Sequence, residues 1–398
     1  MKKLLTPVLA SILCISPSLS YSEAITSSLT RITQSQKNSI DLSDLPTNPP
    51  QPQYDIHGIT VTSYIAGSYN YLSTSDLFTS GVPNRLFDRN DNGFTLQQAS
   101  ITLAKQPKEG LGALLNIVAG SDPNILASYG MKPLTDNQNF GVDLWGAYLQ
   151  YAISSLIIIG GKFESLAGYE YLSPLPNPNF SSSIIGYLMQ PGIVTGMRAT
   201  YAVNDKFSMI GGVNNGWDNV RDTSRRKTIE ISTAFNDPKY ALFATLYTGQ
   251  ERSTPQSNTG PMGTRTLIDL VAQLNATEQL TFVANYDYYI QSKAALPYDV
   301  FGQAVLQGIA GYVNYKFNNK WRISFRGEFF SDKDGFATGV RQNLEELTFT
   351  VGYTPLKHLE LRAEARHDFS NVDSYLNKNG ITATNNQQSF ALEAVWTV

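Results

Sequence analysis

Past about residue 57 the chain settles into a rhythm. Stretches of roughly ten residues alternate apolar and polar side chains, and the joints between them are short, then long, then short again. Successive side chains of a β-strand point to opposite faces. A long run of strands with one apolar and one polar face suits a transmembrane β-barrel, whose strands show one side to lipid and the other to a polar lumen. A helical membrane protein is excluded on length, because no later segment offers the ~20 consecutive apolar residues of a spanning helix. In hydrocarbon every backbone N–H and C=O must be bonded internally, which leaves the closed barrel as the spanning structure.

The joints set the strand count. Turns such as Asn204–Lys206, Asn236–Lys239 and Asn318–Lys320 are rich in Asn, Asp, Pro and Lys, as suits tight hairpins, and Ile153–Ser155 is as short. They alternate without exception with long joints, among them Tyr71–Phe94, Ser121–Phe140, Ser165–Gly192 and Ile290–Ala304. Short periplasmic turns and long extracellular loops, with both ends periplasmic, define an even-stranded bacterial barrel. The predicted fold is therefore all-β, an antiparallel up-and-down transmembrane barrel of about 16 strands over residues 58–398. Strand 7 is predicted over Phe207–Trp217, and the period alone leaves strands 4 and 9 without an assigned face.

The front of the chain has another character. Lys2 and Lys3 precede a mostly apolar run from Leu4 toward Leu19, followed by small residues, so residues 1–24 read as a secretory signal peptide. Residues 25–57 are rich in Ser, Thr, Gln and Asn and end in four prolines, which suits a periplasmic leader. Cys14 is the one cysteine, so a chain cleaved after the signal has no disulfide and no thiolate metal site. With 30 Lys+Arg against 33 Asp+Glu the charge is nearly balanced. Nothing suggests a nucleic-acid partner, which would favour a clustered basic surface.

Charges assign the faces. In strand 15, Leu359, Leu361, Ala363 and Ala365 alternate with Glu360, Arg362, Glu364 and Arg366. Lipid at mid-depth would penalise a basic residue by about 2–4 kcal/mol, so the four charges face the lumen. Strand 13 repeats the pattern with Arg322, Arg326 and Glu328 inward. Aromatics gather at strand ends, including Tyr69, Tyr151, Tyr201, Tyr315, Trp321 and Tyr353, as interfacial girdles do. The longest joint, residues 165–192, carries Tyr169-Glu170-Tyr171 and a run of prolines. A proline-stiffened loop of this kind can fold inward as a constriction. Glu164 and Glu170 would then face Lys162, Arg198, Arg322, Arg326, Arg362 and Arg366, and these with Glu328, Glu360 and Glu364 are the candidate pore-lining residues.

The same region carries a family resemblance. Gly161-Lys162-Phe163, Gly168-Tyr169-Glu170, Asn177 to Ser182, Gln190-Pro191-Gly192 and Thr195-Gly196-Met197-Arg198 resemble the OmpL-like β-barrel porins, as do Asn92-Gly93-Phe94 and Val213 to Trp217. The similarity runs from about residue 57 to the end. It implies an outer-membrane porin passing small hydrophilic solutes or ions, with no catalytic residues and no cofactor. Relatives often carry a more basic stretch after the asparagine motif, where this chain has Ser181-Ser182-Ser183. Partners implied are outer-membrane lipid, the solutes, periplasmic chaperones and the barrel-assembly machinery, and a homotrimer is compatible with apolar outer faces. The competing readings are a structural or adhesive barrel with binding loops and a substrate-specific channel. A hydrolase would need a Ser/His/acid set, and His57, His358 and His367 sit in no such motif.

Overall fold

The computed structural model describes residues 54–78, 85–131, 140–222, 226–253 and 260–398. The predicted signal peptide and residues 25–53 of the leader lie outside them. Sixteen antiparallel strands form the barrel: β1 (Ile59–Leu72), β2 (Gly93–Lys105), β3 (Gly110–Gly120), β4 (Gly141–Ile153), β5 (Leu156–Glu164), β6 (Ile193–Ala202), β7 (Phe207–Asn214), β8 (Thr228–Asn236), β9 (Tyr240–Arg252), β10 (Met262–Asn275), β11 (Leu280–Leu296), β12 (Val300–Lys316), β13 (Trp321–Asp332), β14 (Gln342–Leu356), β15 (Leu359–Ser370) and β16 (Asn386–Thr397). Each pairs with its sequence neighbours, and β1 also pairs with β16 from Tyr64↔Thr397 to Leu72↔Ser389. That last ladder closes the sheet and leaves the cylinder no open edge, which is how a β protein satisfies its backbone in lipid. The end of the leader joins the wall, since Tyr54–Ile56 pairs with Ile59–Val61 through a turn at His57 and Gly58.

The predicted strands all appear, in the predicted order, with instructive differences in extent. Strands β11 and β12 run to 17 residues each. The expected loop Ile290–Ala304 is thus mostly a continued hairpin, irregular between Gln291 and Ala294 and turning at Pro297–Asp299. Strand β7 stops at Asn214 rather than Trp217. There the Asn214 side chain accepts the Gly216 N–H at 2.9 Å, and Gly216 adopts φ 102°, so the chain turns out of the ladder.

The outer face is apolar and the inner face polar along most strands. In β15 every second residue from Glu360 to Ser370 is buried, and Leu361, Ala365 and Phe369 are exposed. The aromatic ends pair up on the outside: Trp321 stacks on Tyr353 at 4.2 Å between centroids, and Tyr315 meets Phe317 edge-on at 4.8 Å. The two strands whose period was ambiguous have separate reasons. In β4 a bulge opposite Asn116 and Ile117 lets Trp145 and Gly146 both turn inward, which resets the alternation. In β9 the inward side is largely apolar: Ala241 and Tyr247 are fully buried, and Phe243 packs beside Ile210 and Leu166.

The inside of the barrel therefore has two halves. From β5 to β11 the wall presents apolar side chains, Ile159, Phe163, Ile210, Tyr247, Leu267, Val271 and Val283, set among fewer charges such as Lys162, Arg198, Glu230, Asp269 and Asp287. From β13 to β16 it presents Arg326, Glu346, Glu360, Arg362, Glu364, Arg366 and Glu393. A segment lying across the lumen must satisfy both.

Candidate functional site

Residues 165–192, between β5 and β6, run from the apolar half to the charged half. Leu166 and Ala167 pack with the apolar cluster, and the Leu166 N–H donates to the Tyr247 hydroxyl at 2.9 Å. Tyr169 packs against Tyr312 of β12, the rings tilted by 59° with centroids 4.7 Å apart. The far end reaches the opposite wall. Glu364 accepts the N–H groups of Phe180 at 2.7 Å and Ser181 at 3.0 Å, and Glu328 those of Ile184 at 3.0 Å and Ile185 at 3.2 Å. The arginines take the loop's carbonyls: Arg322 donates to Pro178 at 2.6 Å, Arg326 to Ser181 at 2.6 Å, Arg362 to Pro174 at 2.9 Å and Arg366 to Ser182 at 2.8 Å. Bonds with one ionised partner contribute about 1.5–3 kcal/mol each, so this set is a strong strap.

The loop is also braced internally, through the residues that carried the family resemblance. The Asn177 side chain bonds both backbone groups of Tyr171, accepting at 2.8 Å and donating at 2.7 Å, as a paired strand would. Ser183 caps the short helix α2 (Ile184–Leu188), and Glu170 accepts the Ser183 N–H at 2.7 Å. Gly168 has φ 88°, and a Cβ there would sit 2.0 Å from the Gln190 amide oxygen. Only glycine suits both conditions. Gln190 in turn donates to Asp287 on β11 at 2.8 Å.

The predicted lining residues fall into three groups. Arg322, Arg326, Glu328, Arg362, Glu364 and Arg366 contact the loop directly, as above, and Glu170 meets Arg326 from the loop side at 2.7 Å. Glu360 stands behind them, holding Arg322 at 2.8 Å and Arg362 at 2.7 Å. Lys162, Glu164 and Arg198 belong elsewhere. Lys162 pairs with Asp143 of β4 at 2.9 Å, and Arg198 pairs with Glu230 of β8 at 2.5 Å beneath the Phe163 ring. Glu164 is buried at the loop's base.

The sequence reading set an acidic loop against a basic wall. In the structure the wall arginines are already matched by wall carboxylates: Arg326 by Glu346 at 2.5 Å, Arg362 by Glu393 at 3.0 Å, Arg366 by Asp368 at 2.8 Å. Glu346, Asp368 and Glu393 each sit at an inward position of an alternating strand, and nothing local marks which arginine each one meets. Arg85 comes from the first long joint and pairs with Asp88 and Asp368 inside the barrel, and no strand pattern marks such a residue.

A small helix, α1 (Ser121–Ile125), folds inward after β3. Its Asp122 accepts from Gln98 at 2.8 Å and from Ser121 at 3.0 Å. Burial pushes this carboxyl up to about 8, outweighing both hydrogen bonds.

Residues 58–397 match the family described as "Putative beta-barrel porin-2, OmpL-like", and the chain belongs to it. The class is thus an outer-membrane porin, a passive channel rather than an enzyme. Solved structures agree on the fold. The anion-selective porin from Comamonas acidovorans aligns over 85% of this chain and 99% of its own at 10% identity, with a TM-score of 0.59. The outer membrane channel DcaP of Acinetobacter baumannii aligns over 85% and 97% at 13% identity, TM-score 0.56. The trimer form of OmpT from Vibrio cholerae aligns over 85% and 99% at 11% identity, TM-score 0.56. Comparison with curated protein sequences returns no match.

Proposed function

We propose that the barrel passes small hydrophilic solutes by diffusion, and that residues 165–192 form its constriction. The observation that carries this reading is the strap itself, four arginines and two glutamates of the far wall bonded to the loop backbone. The wall charges around it are almost wholly covered, Arg326 at 0% and Arg362 at 2% exposure, which favours a narrow passage over a wide one. Ion pairing along the wall leaves little net field of one sign, so the reading predicts weak ion selectivity at this level of the lumen. Export by a cleaved signal over residues 1–24 and insertion by the barrel-assembly machinery complete the proposal. A trimer is part of it too, by analogy with the OmpT trimer form.

The test is planar-bilayer recording of the purified, detergent-folded chain, with cross-linking for subunit number. Small ohmic steps with a reversal potential near zero in a salt gradient are expected. A folded barrel that passes no current would move the weight to a structural or adhesive role, and large steps would refute the strapped constriction.

A further inference from the structure

The wall arginines of the strap are neutralised by carboxylates in contact with them, but not every arginine near the loop is. Among the described residues, Arg85, Arg198, Arg322, Arg326, Arg362 and Arg366 sit in ion pairs. Arg89 and Arg265 form none, and both line one cavity of about 290 Å³ between α2, the wall at β9 to β11, and the first two long joints. That size is at the lower end for small-molecule sites.

Arg265 is 7% exposed. Its guanidinium lies over the Trp217 ring at 4.9 Å and near the Tyr289 ring at 5.8 Å. Its donors meet neutral acceptors, the Gln291 amide oxygen at 2.6 Å and the Arg252 carbonyl at 3.3 Å. Arg89 lies over Tyr187 at 5.4 Å and donates to that hydroxyl at 3.0 Å. Glu251 and Asp218 feel the Arg265 charge from beyond ion-pair distance, and a covered cation with no carboxylate in contact is costly unless an anion completes it.

The cavity's own carboxylates are turned to other work. Asp218 accepts the N–H groups of Gly192 at 3.0 Å and Ile193 at 2.9 Å, and Glu251 accepts from Trp217 at 3.2 Å and Thr228 at 2.9 Å. The walls around Arg89 and Arg265 are aromatic: Trp217, Tyr187, Tyr289 and Phe336. We infer that this cavity is a binding subsite for a small organic anion, a carboxylate carried on a planar apolar body, with Arg265 and Arg89 holding the charge and Trp217 the ring. The inference rests on the porin reading only in that a solute must reach the cavity from outside.

The probe is benzoate, with benzamide as its neutral counterpart. Added to the outer side of the reconstituted channel at constant ionic strength, benzoate should interrupt the current saturably and benzamide should not. Arg265→Gln should raise the half-saturating benzoate concentration about tenfold or more, as loss of a charge-assisted contact does. Arg265→Lys should fall between, keeping the charge and losing the planar fork. Arg341→Gln, an exposed arginine outside the cavity, should match the unchanged protein. Equal effects of benzoate and benzamide, or equal weakening in Arg341→Gln, would overturn the subsite. If the bilayer stays silent, the porin reading fails separately. The subsite is then decided by benzoate quenching of tryptophan emission in the folded protein: saturable quenching lost in Arg265→Gln supports it, and its absence refutes it.

Discussion

Arg326 is the hub on which the strap turns, and replacing it separates two kinds of stabilisation. Its side chain is fully buried, bonding Glu346 at 2.5 Å and 2.9 Å, Glu170 at 2.7 Å and the Ser181 carbonyl at 2.6 Å. Arg326→Leu removes the cation between Glu328 and Glu346, which face each other in the β13–β14 register. Breaking a buried pair from one side costs about 3–5 kcal/mol, because the remaining charge stays desolvated. Of its bonds to the loop, the two shortest, to Glu170 and the Ser181 carbonyl, add about 3–6 kcal/mol to the loss of loop docking, at about 1.5–3 kcal/mol each. The first cost should appear as a lower urea midpoint for refolding into detergent. The second should appear as larger, noisier single-channel currents. Adding Glu346→Leu removes the stranded charge, so the double variant should recover part of the stability, with a coupling of about 1–3 kcal/mol in the cycle, while the current stays noisy. Additive stabilities together with a quiet, unchanged current would refute both the ion pair and the strap.

Two further outcomes follow from the packing. Gly308 faces the lumen from β12, and a Cβ there would lie 2.3 Å from the Ile185 side chain, which is fully buried. Gly308→Ala should lift α2 off the wall, costing about 1–3 kcal/mol and altering conductance while leaving the strand content seen by circular dichroism unchanged. The raised Asp122 carboxyl gives a pH dependence. A carboxyl whose folded value, about 8, exceeds its ordinary 3.8 contributes stability that is complete below the lower value and is lost as pH rises through the higher one. The protein should therefore lose stability as pH rises from about 4 to about 8, and level off above that, relative to Asp122→Asn, measured as the difference in urea midpoints; parallel profiles would refute the assignment.

The strands were legible because lipid and lumen impose opposite demands on neighbouring residues, and β15 shows this in its purest form: Glu360, Arg362, Glu364 and Arg366 could only face inward. Legibility failed where that contrast faded. In β9 both faces are apolar, since the inward one packs against Leu166 and Trp217, and in β4 the bulge at Trp145 broke the period. The Ile290–Ala304 joint looked like a loop because the polar run Gln291-Ser292-Lys293 and Pro297 interrupt the alternation, where the ladder is irregular between Gln291 and Ala294.

The sequence by itself determined a closed barrel, its strand order and which charges point inward, because two-residue periodicity is a local property of the chain. Only the tertiary structure decided who those charges meet. Arg326 reaches Glu170 across 156 positions of sequence, and Arg85 reaches Asp368 across 283. Such pairs form because closing the cylinder brings distant strands to one lumen, where each buried charge must find a partner or bear the cost of desolvation. No local pattern records that choice, nor that Arg89 and Arg265 would be left facing a cavity instead.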